Sequence, residues 1–151
     1  MKKYTIFLLL SLTLLLFSCS KSIDPIEYGH DACEFCSMTI VEKGHAAQIV
    51  TSKGKNFKFD ASECLINYLD REQNESDMLH MLSANYLNPG EMINVHEASF
   101  IISENIPSPM GGFLSALASK EEAEKLKEEF GGDVYNWAEV KKIIPAQATH
   151  H

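Results

Sequence analysis

The 151-residue sequence predicts a single α+β domain, with antiparallel strands and two helices packed against them. Alternating apolar residues on both sides of a glycine-containing turn, within residues 45–59, indicate a β-hairpin. Helix-capping patterns occur at Asp60 with Glu63 and at Ser119 with Glu122. The remaining apolar runs are short and are separated by Pro, Gly and Asn, which is typical of strands joined by turns.

The first half of the domain is predicted as two strands, a helix and a third strand. Strands at 45–51 and 56–59 flank a Ser-Lys-Gly-Lys turn and form the hairpin. A helix then covers about 60–70, with apolar residues at helical spacing. After a polar loop, a strand at 78–87 ends at Asn-Pro-Gly, which is a strong turn signal.

The second half repeats this order approximately. Strands at 91–95 and 98–103 are expected to form a further pair, followed by a loop over 104–112 that is rich in Pro and Gly. The helix capped by Ser119 ends at a Gly-Gly pair. Residues 134–144 close the domain as a strand, a short helix or both.

The first 18 residues are interpreted as an export signal, with two lysines before an apolar run that is too short to span a bilayer. This run ends in Leu-Phe-Ser-Cys, which resembles a bacterial lipobox, so Cys19 is expected to be the lipidated first residue of the mature protein. Because Ser20 follows, we expect an anchor in the outer membrane, facing the periplasm. A plain signal peptide that happens to contain Cys19 is the alternative.

These signals divide the chain into a signal peptide at 1–18, a lipidated tether at 19–28, a folded domain at 29–145 and a disordered tail at 146–151. The formal net charge of −8 argues against a nucleic-acid partner, which would require a basic face. The negative field instead suits the capture of cations.

Two thiols and a thioether lie close together at Cys33, Cys36 and Met38. Soft sulfur ligands of this kind favour Cu(I), which also accepts a low coordination number. Cys36 and Met38 are two residues apart, so on an extended segment both side chains would point to the same side. Met110, between Pro and Gly in the 104–112 loop, is poorly placed for core packing and is the candidate for a third ligand.

Three further residues are weaker candidates. Cys33 could bind the metal, form a disulfide with Cys36 or remain a spare thiol. Cys64 lies on the amphipathic face of the first helix and is expected to be mainly a core residue, as buried free cysteines often are. His45 could supply an imidazole, although a surface position is equally compatible with the sequence.

Taken in order, these motifs resemble the NosL family, copper-binding lipoproteins that accompany nitrous oxide reductase. The matching segments are Leu-Phe-Ser-Cys19, Cys33-x-x-Cys36-x-Met38, Ala46-Ala47-Gln48-Ile49, Phe59-Asp60, Ser108-Pro109-Met110-Gly111 and Ser119-Lys120-Glu121-Glu122-Ala123. The resemblance implies two similar ββαβ halves and delivery of Cu(I) to nitrous oxide reductase or its maturation machinery. The family usually has Gly where this chain has Ser37, which affects the backbone freedom of the loop.

The sequence is also compatible with other functions. A periplasmic copper store or detoxification protein would use the same residues. A thiol-disulfide oxidoreductase would use Cys33 and Cys36, but such motifs usually open a helix, and here strands follow. An inert Cys33–Cys36 disulfide, or a zinc site, is a further alternative. Because no nucleophile elbow, phosphate loop or metalloprotease helix occurs in the sequence, we expect a binding protein rather than an enzyme.

Overall fold

The computed structural model describes residues 21–72 and 75–144. The predicted signal peptide, Cys19 and the C-terminal tail lie outside these residues. In the described ranges, no helix combines the length and the apolar character that crossing a bilayer would require.

The described chain contains two consecutive ββαβ units. The first unit and the strand after it comprise β1 (Ala47–Thr51), β2 (Asn56–Phe59), α1 (Ser62–Glu72), a 3-10 turn (Glu75–Asp77), β3 (Met78–Ala84) and β4 (Met92–Asn94). The second unit and the helix after it comprise β5 (Ser99–Ile102), β6 (Leu114–Leu117), α2 (Lys120–Phe130), β7 (Asp133–Tyr135) and α3 (Trp137–Ile143).

Each unit forms its own antiparallel sheet, with the same internal arrangement. The first sheet has the order β2-β1-β3-β4 and the second has the order β6-β5-β7. In both, the first strand of the unit lies between the second and the third. The α+β class and the two ββαβ halves are therefore confirmed, although the described residues contain three α-helices rather than the predicted two.

The predicted pairing of strands 91–95 and 98–103 is wrong. β4 pairs with β3, and β5 begins the second sheet. Asn94 explains the change of direction, because its side-chain oxygen accepts a hydrogen bond from the His96 amide at 3.0 Å. Its carbonyl accepts the amides of Glu97 and Ala98, each at 3.0 Å, so the chain turns between the two strands.

Other boundaries also differ. β1 begins at Ala47, because His45 still belongs to the preceding turn, and β3 ends at Ala84 rather than at residue 87. β6 is buried along its whole length, so it shows no alternation from which a strand could be predicted. Residues 134–144 were expected to contain a strand, a short helix or both, and the structure has both.

The two predicted capping boxes have different outcomes. At α2, the Ser119 side chain accepts the Glu122 amide at 3.2 Å, and the Glu122 carboxylate accepts the Ser119 amide at 3.2 Å. The predicted box at Asp60 is wrong. Helix α1 begins at Ser62, and both Asp60 and Glu63 are buried, with the Glu63 carboxylate bonded to Ser108 in a distant loop.

A single large core joins the two units. Phe59 and Leu65 of the first unit belong to the same buried cluster as Phe100 and Trp137 of the second. Helix α1 packs against β1 and β2 of its own unit and also against β6 of the other. Its N-terminal end therefore lies where the two units meet.

The segment before the domain is fixed along β2. Asn56 donates from its side chain to the Ser22 carbonyl at 3.1 Å and accepts the Asp24 amide at 3.1 Å. Gln48 donates to the Asp24 carbonyl at 2.8 Å, and Lys58 donates to the Pro25 carbonyl at 2.8 Å. Part of the segment predicted to be a tether is thus bound to the surface of the domain.

Candidate metal centre

The segment from Cys33 to Met38 is a tight turn and not the extended segment that the sequence suggested. The Cys33 amide donates to the Met38 carbonyl at 2.8 Å, and the Ser37 amide donates to the Cys33 carbonyl at 2.9 Å. A bridge between Ala32 and Thr39 closes the turn. Ser37 has φ of 64°, in the left-handed region that favours glycine, so the backbone reverses between Cys36 and Met38.

Helix α1 brings a third thiol to this turn. The sulfur atoms of Cys33, Cys36 and Cys64 all lie within 4.8 Å of one another, and the three thiols are free. Cys33 and Cys64 are buried, whereas Cys36 is half-buried. We call these three residues the cysteine cluster.

Cys64 is both a core residue and a neighbour of the other two thiols. It is fully buried in the core, as expected, and its sulfur also belongs to the cysteine cluster. Cys64 lies in the first turn of α1, which follows directly on β2. The turn that carries Cys33 is attached to the same strand, because the Glu34 amide donates to the Lys58 carbonyl at 2.9 Å. The strand therefore sets the turn beside the start of the helix.

Hydrogen bonds to sulfur make Cys33 strongly acidic. The Cys64 thiol donates to it and is the main cause, and the backbone amides of Cys36, Asp60 and Phe35 also favour its anionic form. Burial acts in the opposite direction, and the resulting pKa of Cys33 is about 5. Cys33 is therefore a thiolate at neutral pH.

The other two thiols remain protonated. Burial raises the pKa of Cys36, and the Cys33 thiolate raises it further, although the Met38 amide partly opposes this. The hydrogen bond to Cys33 and burial raise the pKa of Cys64. Without a bound metal, the cysteine cluster thus has one thiolate and two thiols, and a metal that used all three sulfurs would displace two protons.

A buried carboxyl group borders the cysteine cluster. Asp60 is 3% exposed, and its Oδ1 has no hydrogen-bond partner among the described residues. Burial raises its pKa, and the nearby Cys33 thiolate adds to the rise. This arrangement opposes a second negative charge beside Cys33 in the absence of a cation.

The two candidate methionines lie at the edge of this arrangement. Met38 is 45% exposed, at the end of the turn that carries Cys33 and Cys36. Met110 is half-buried and packs against the core cluster that includes Cys33 and Cys64. Its loop (residues 108–112, the Met110 loop) is bonded to the first turn of α1 through Ser108 and Glu63. The Met110 loop thus rests on the helical turn that also carries Cys64.

His45 is not part of this arrangement. Among the described residues, the group of possible metal ligands consists of the three cysteines and does not include His45. The His45 ring is buried, its Nε2 lies 3.2 Å from the Ser115 hydroxyl, and it contacts the Tyr86 ring at 5.4 Å between centroids. Burial lowers its pKa, so it is a neutral core residue between the two units.

Sequence reasoning gave Cys64 too little weight. Its separation from Cys33 and Cys36 carries no spacing signal, because the residues meet only through the packing of α1 on β2. One signal was present: with Cys19 assigned to lipidation, three cysteines remained, and one of them stood in the first turn of a predicted helix. Chemically, three convergent sulfurs suit a soft metal ion better than a hard one.

Comparisons with known proteins agree with this description. The family model for NosL matches residues 26–144. The crystal structure of the copper chaperone NosL from Shewanella denitrificans has a similar fold, with a TM-score of 0.68 and 22% sequence identity, over 79% of this chain and 95% of that chain. No curated protein gives a significant match. Because the family model covers most of the chain, including all three cysteines and Met110, this protein belongs to the NosL family.

Proposed function

We propose that this protein is a copper chaperone that binds one Cu(I) ion at the cysteine cluster and passes it to another protein. The observation that carries the proposal is the convergence of Cys33, Cys36 and Cys64, whose sulfur atoms lie within 4.8 Å of one another. Thiolate and thioether sulfur suit Cu(I), which is stable with two or three such ligands. The name of the structurally similar chaperone and the family membership support copper as the cargo.

In this proposal, the three cysteines are the principal ligands, and Met38 and Met110 supply thioethers at the edge. This ligand set keeps Cys36, Met38 and Met110 from the sequence analysis. Cys33 and Cys64, which were weaker candidates there, become main ligands. We leave His45 out because its ring is held in the core beside Ser115 and Tyr86. Exposed Met38 and half-buried Cys36 are the ligands that an incoming protein reaches first, so release proceeds by ligand exchange at that edge.

The proposed acceptor is nitrous oxide reductase or its maturation machinery. This rests on the family resemblance, in which NosL proteins accompany that enzyme. The proposed location is the outer membrane, facing the periplasm, with acyl chains on Cys19 as the anchor. Each buried CH₂ of such a chain contributes roughly 0.8 kcal/mol, so more than one chain is needed for stable attachment.

Competition with a chromophoric Cu(I) chelator tests the binding site. We expect Cys33→Ser, Cys36→Ser and Cys64→Ser each to weaken Cu(I) binding by more than about 100-fold, equivalent to about 2.7 kcal/mol. Met38→Leu and Met110→Leu should weaken it less, since the thiolates contribute the charge. Met81→Leu is the matched control, because Met81 is a buried methionine of β3, which β1 separates from the β2 strand beside the Cys33–Met38 turn. Unchanged affinity in all three cysteine variants would overturn the proposal.

A second candidate follows from the acidity of Cys33. A thiol with a pKa of about 5 has the ionisation of a redox-active cysteine, so thiol-disulfide exchange has a specific observation in its favour. Against it, Cys33 is only 2% exposed and lies in a turn rather than at a helix N-terminus. Reduction of insulin by the reduced, metal-free protein would favour this function.

Stable Cu(I) retention without transfer to apo-nitrous oxide reductase would favour a storage role.

A further inference from the structure

Glu63 is a fully buried acidic residue that the metal site itself does not use. Its side chain has 0% exposure and is next in sequence to Cys64, in the first turn of α1. Burying a carboxyl group is costly unless specific contacts compensate for its lost hydration. The contacts of Glu63 therefore indicate what this residue does.

The first contact is with the start of the Met110 loop. The Ser108 hydroxyl donates a hydrogen bond to Glu63 Oε1. The Ser108 carbonyl in turn accepts the Gly111 amide at 3.0 Å, which closes a turn around Met110. Glu63 therefore fixes one end of the turn that presents Met110.

The second contact is with the other end of the same loop. A Cβ atom at Gly112 would lie 2.8 Å from Glu63 Cγ and 2.9 Å from its Oε1, so the loop backbone rests directly on the carboxyl group. Any larger residue at this position would force the two apart. Glu63 is thus held on one side by Ser108 and covered on the other by Gly112, with Met110 between them.

We infer that Glu63 is a positioning residue that holds the Met110 loop on the first turn of α1 and thereby sets Met110 relative to Cys64. The inference rests on the proposed function, in which both residues bind Cu(I). Consecutive residues of one helical turn then perform two tasks: Cys64 supplies a thiol to the ion, and Glu63 orients the loop from the second ββαβ unit. The hydrogen bond from Ser108 and the close contact with the Gly112 backbone offset part of the cost of burying the carboxyl.

The test is a double-mutant cycle on Cu(I) affinity in the full chain. Ser108→Ala removes the hydrogen bond to Glu63 and should weaken Cu(I) binding about 10-fold, the lower end of the effect of losing a residue that orients a metal ligand. In a Met110→Leu background the same substitution should change affinity less than about twofold, because its effect passes through Met110. A purely structural role would weaken binding equally in both backgrounds.

Variants of Glu63 itself give a second measurement. Glu63→Gln keeps an oxygen that accepts the Ser108 hydroxyl, so it should retain nearly wild-type affinity, whereas Glu63→Leu should behave like Ser108→Ala. Ser119→Ala is the stability control: it removes the cap of α2, should cost about 1 kcal/mol of folding stability and should leave Cu(I) affinity unchanged.

The outcomes separate this inference from the proposed function. Equal loss for Ser108→Ala with and without Met110 would overturn the positioning role while leaving copper binding intact. Unchanged affinity in Met110→Leu, together with large losses in the cysteine variants, would likewise overturn the inference alone. Absence of Cu(I) binding by the wild-type protein would overturn both.

Discussion

The chemistry of the cysteine cluster depends on which of its sulfur atoms carries the negative charge. Cys33 receives hydrogen bonds from the Cys64 thiol and from backbone amides, and these lower its pKa to about 5. Cys36 and Cys64 shift in the opposite direction. The metal-free protein therefore offers one ready anionic ligand, and the two protonated thiols limit the repulsion that three adjacent thiolates would cause.

The first prediction concerns this charge. Since Cys64 is the main cause of the lowered pKa, Cys64→Ala should raise the pKa of Cys33 towards the ordinary thiol value of 9.0. The pKa of Cys33 can be measured from the ultraviolet absorbance of its thiolate in the reduced, metal-free protein. The absorbance of the Cys33→Ser variant is subtracted to isolate the Cys33 signal. In the wild type this absorbance should persist on acidification to near pH 5; in Cys64→Ala it should disappear at higher pH.

The sign of the accompanying stability change follows from linkage. Because the pKa of Cys33 is lower in the folded state than in the unfolded state, its ionisation stabilises the fold fully at pH values above the unfolded pKa. This contribution decreases as the pH falls towards about 5, where the folded thiolate takes up a proton. If the thiolate absorbance had the same pH midpoint in Cys64→Ala and the wild type, Cys64 would not be the cause of the lowered pKa of Cys33. Ser119→Ala is the control and should leave this midpoint unchanged.

At this scale, local spacing predicted part of the site. The Cys33, Cys36 and Met38 motif marked the segment that carries two of the three clustered thiols, and Met110 stood out because Pro and Gly flank it. The sequence did not show that Cys64 lies beside these thiols, because residues distant along the chain meet only through the packing of α1 on β2. The extended geometry expected around Met38 failed because Ser37 takes a left-handed conformation that single-residue propensity does not favour.

Among the elements, the two helices that follow β-hairpins show how similar sequence signals can have different results. The Ser119 box caps α2 as the pattern indicated. The same pattern at Asp60 does not cap α1, because burial at the junction of the two units turns Glu63 towards the Met110 loop. Local sequence propensity determined how the exposed helix α2 begins, whereas tertiary contacts determined how the buried helix α1 begins. The fold class was predictable from periodicity, but the pairing of β4 depended on the turn at Asn94.

The second prediction concerns the end of α2. Gly132 has φ of 92°, and an added Cβ would lie 2.2 Å from the Ile102 carbonyl oxygen of β5. Gly132→Ala should therefore lower the free energy of unfolding by well over about 1 kcal/mol, measured by urea denaturation. Gly131→Ala is the matched control, because Gly131 has φ of 71° but no atom within 4 Å of the added Cβ. The loss for Gly131→Ala should be limited to backbone strain, about 1–3 kcal/mol at its ψ of −166°, and should be smaller than the loss for Gly132→Ala.

Equal destabilisation by the two substitutions would show that the contact with β5 contributes nothing beyond the backbone conformation.

On the scale of the whole molecule, the candidate metal centre draws on both ββαβ units. The first unit and the turn before it supply the cysteine cluster, and the second unit supplies Met110 through a loop that rests on α1. The resemblance implied the two halves, but a sequence without strong similarity between them could not show where they meet. That junction is created by α1, which packs on strands of both units.

The third prediction concerns the segment at 22–25. Asn56 bonds to both Ser22 and Asp24, so Asn56→Ala should loosen the start of this segment, while the bonds from Gln48 and Lys58 remain. Trypsin should then cleave after Lys21 several times faster, because proteolysis requires a locally open chain. Mass spectrometry of timed digests measures the rate. Asn105→Ala, which removes a side-chain bond to the Phe130 carbonyl on the other unit, should leave the rate unchanged.

The attachment of residues 22–25 to β2 has a consequence for how an acceptor protein can approach. With Cys19 acylated as proposed, about 10 Å of chain at most separates the lipid from the point at which Ser22 is fixed. Strand β2 then leads away from that point, from Asn56 to Phe59, a further distance of about 10 Å. The turn with Cys33 and Cys36, which lies beside β2, would therefore stay within a few tens of ångströms of the bilayer, and the search for an acceptor would be confined to a layer of that thickness. A productive acceptor must present its own ligands within that layer, so lengthening the connection to the lipid should slow transfer to a membrane-bound acceptor while leaving the affinity for copper unaltered.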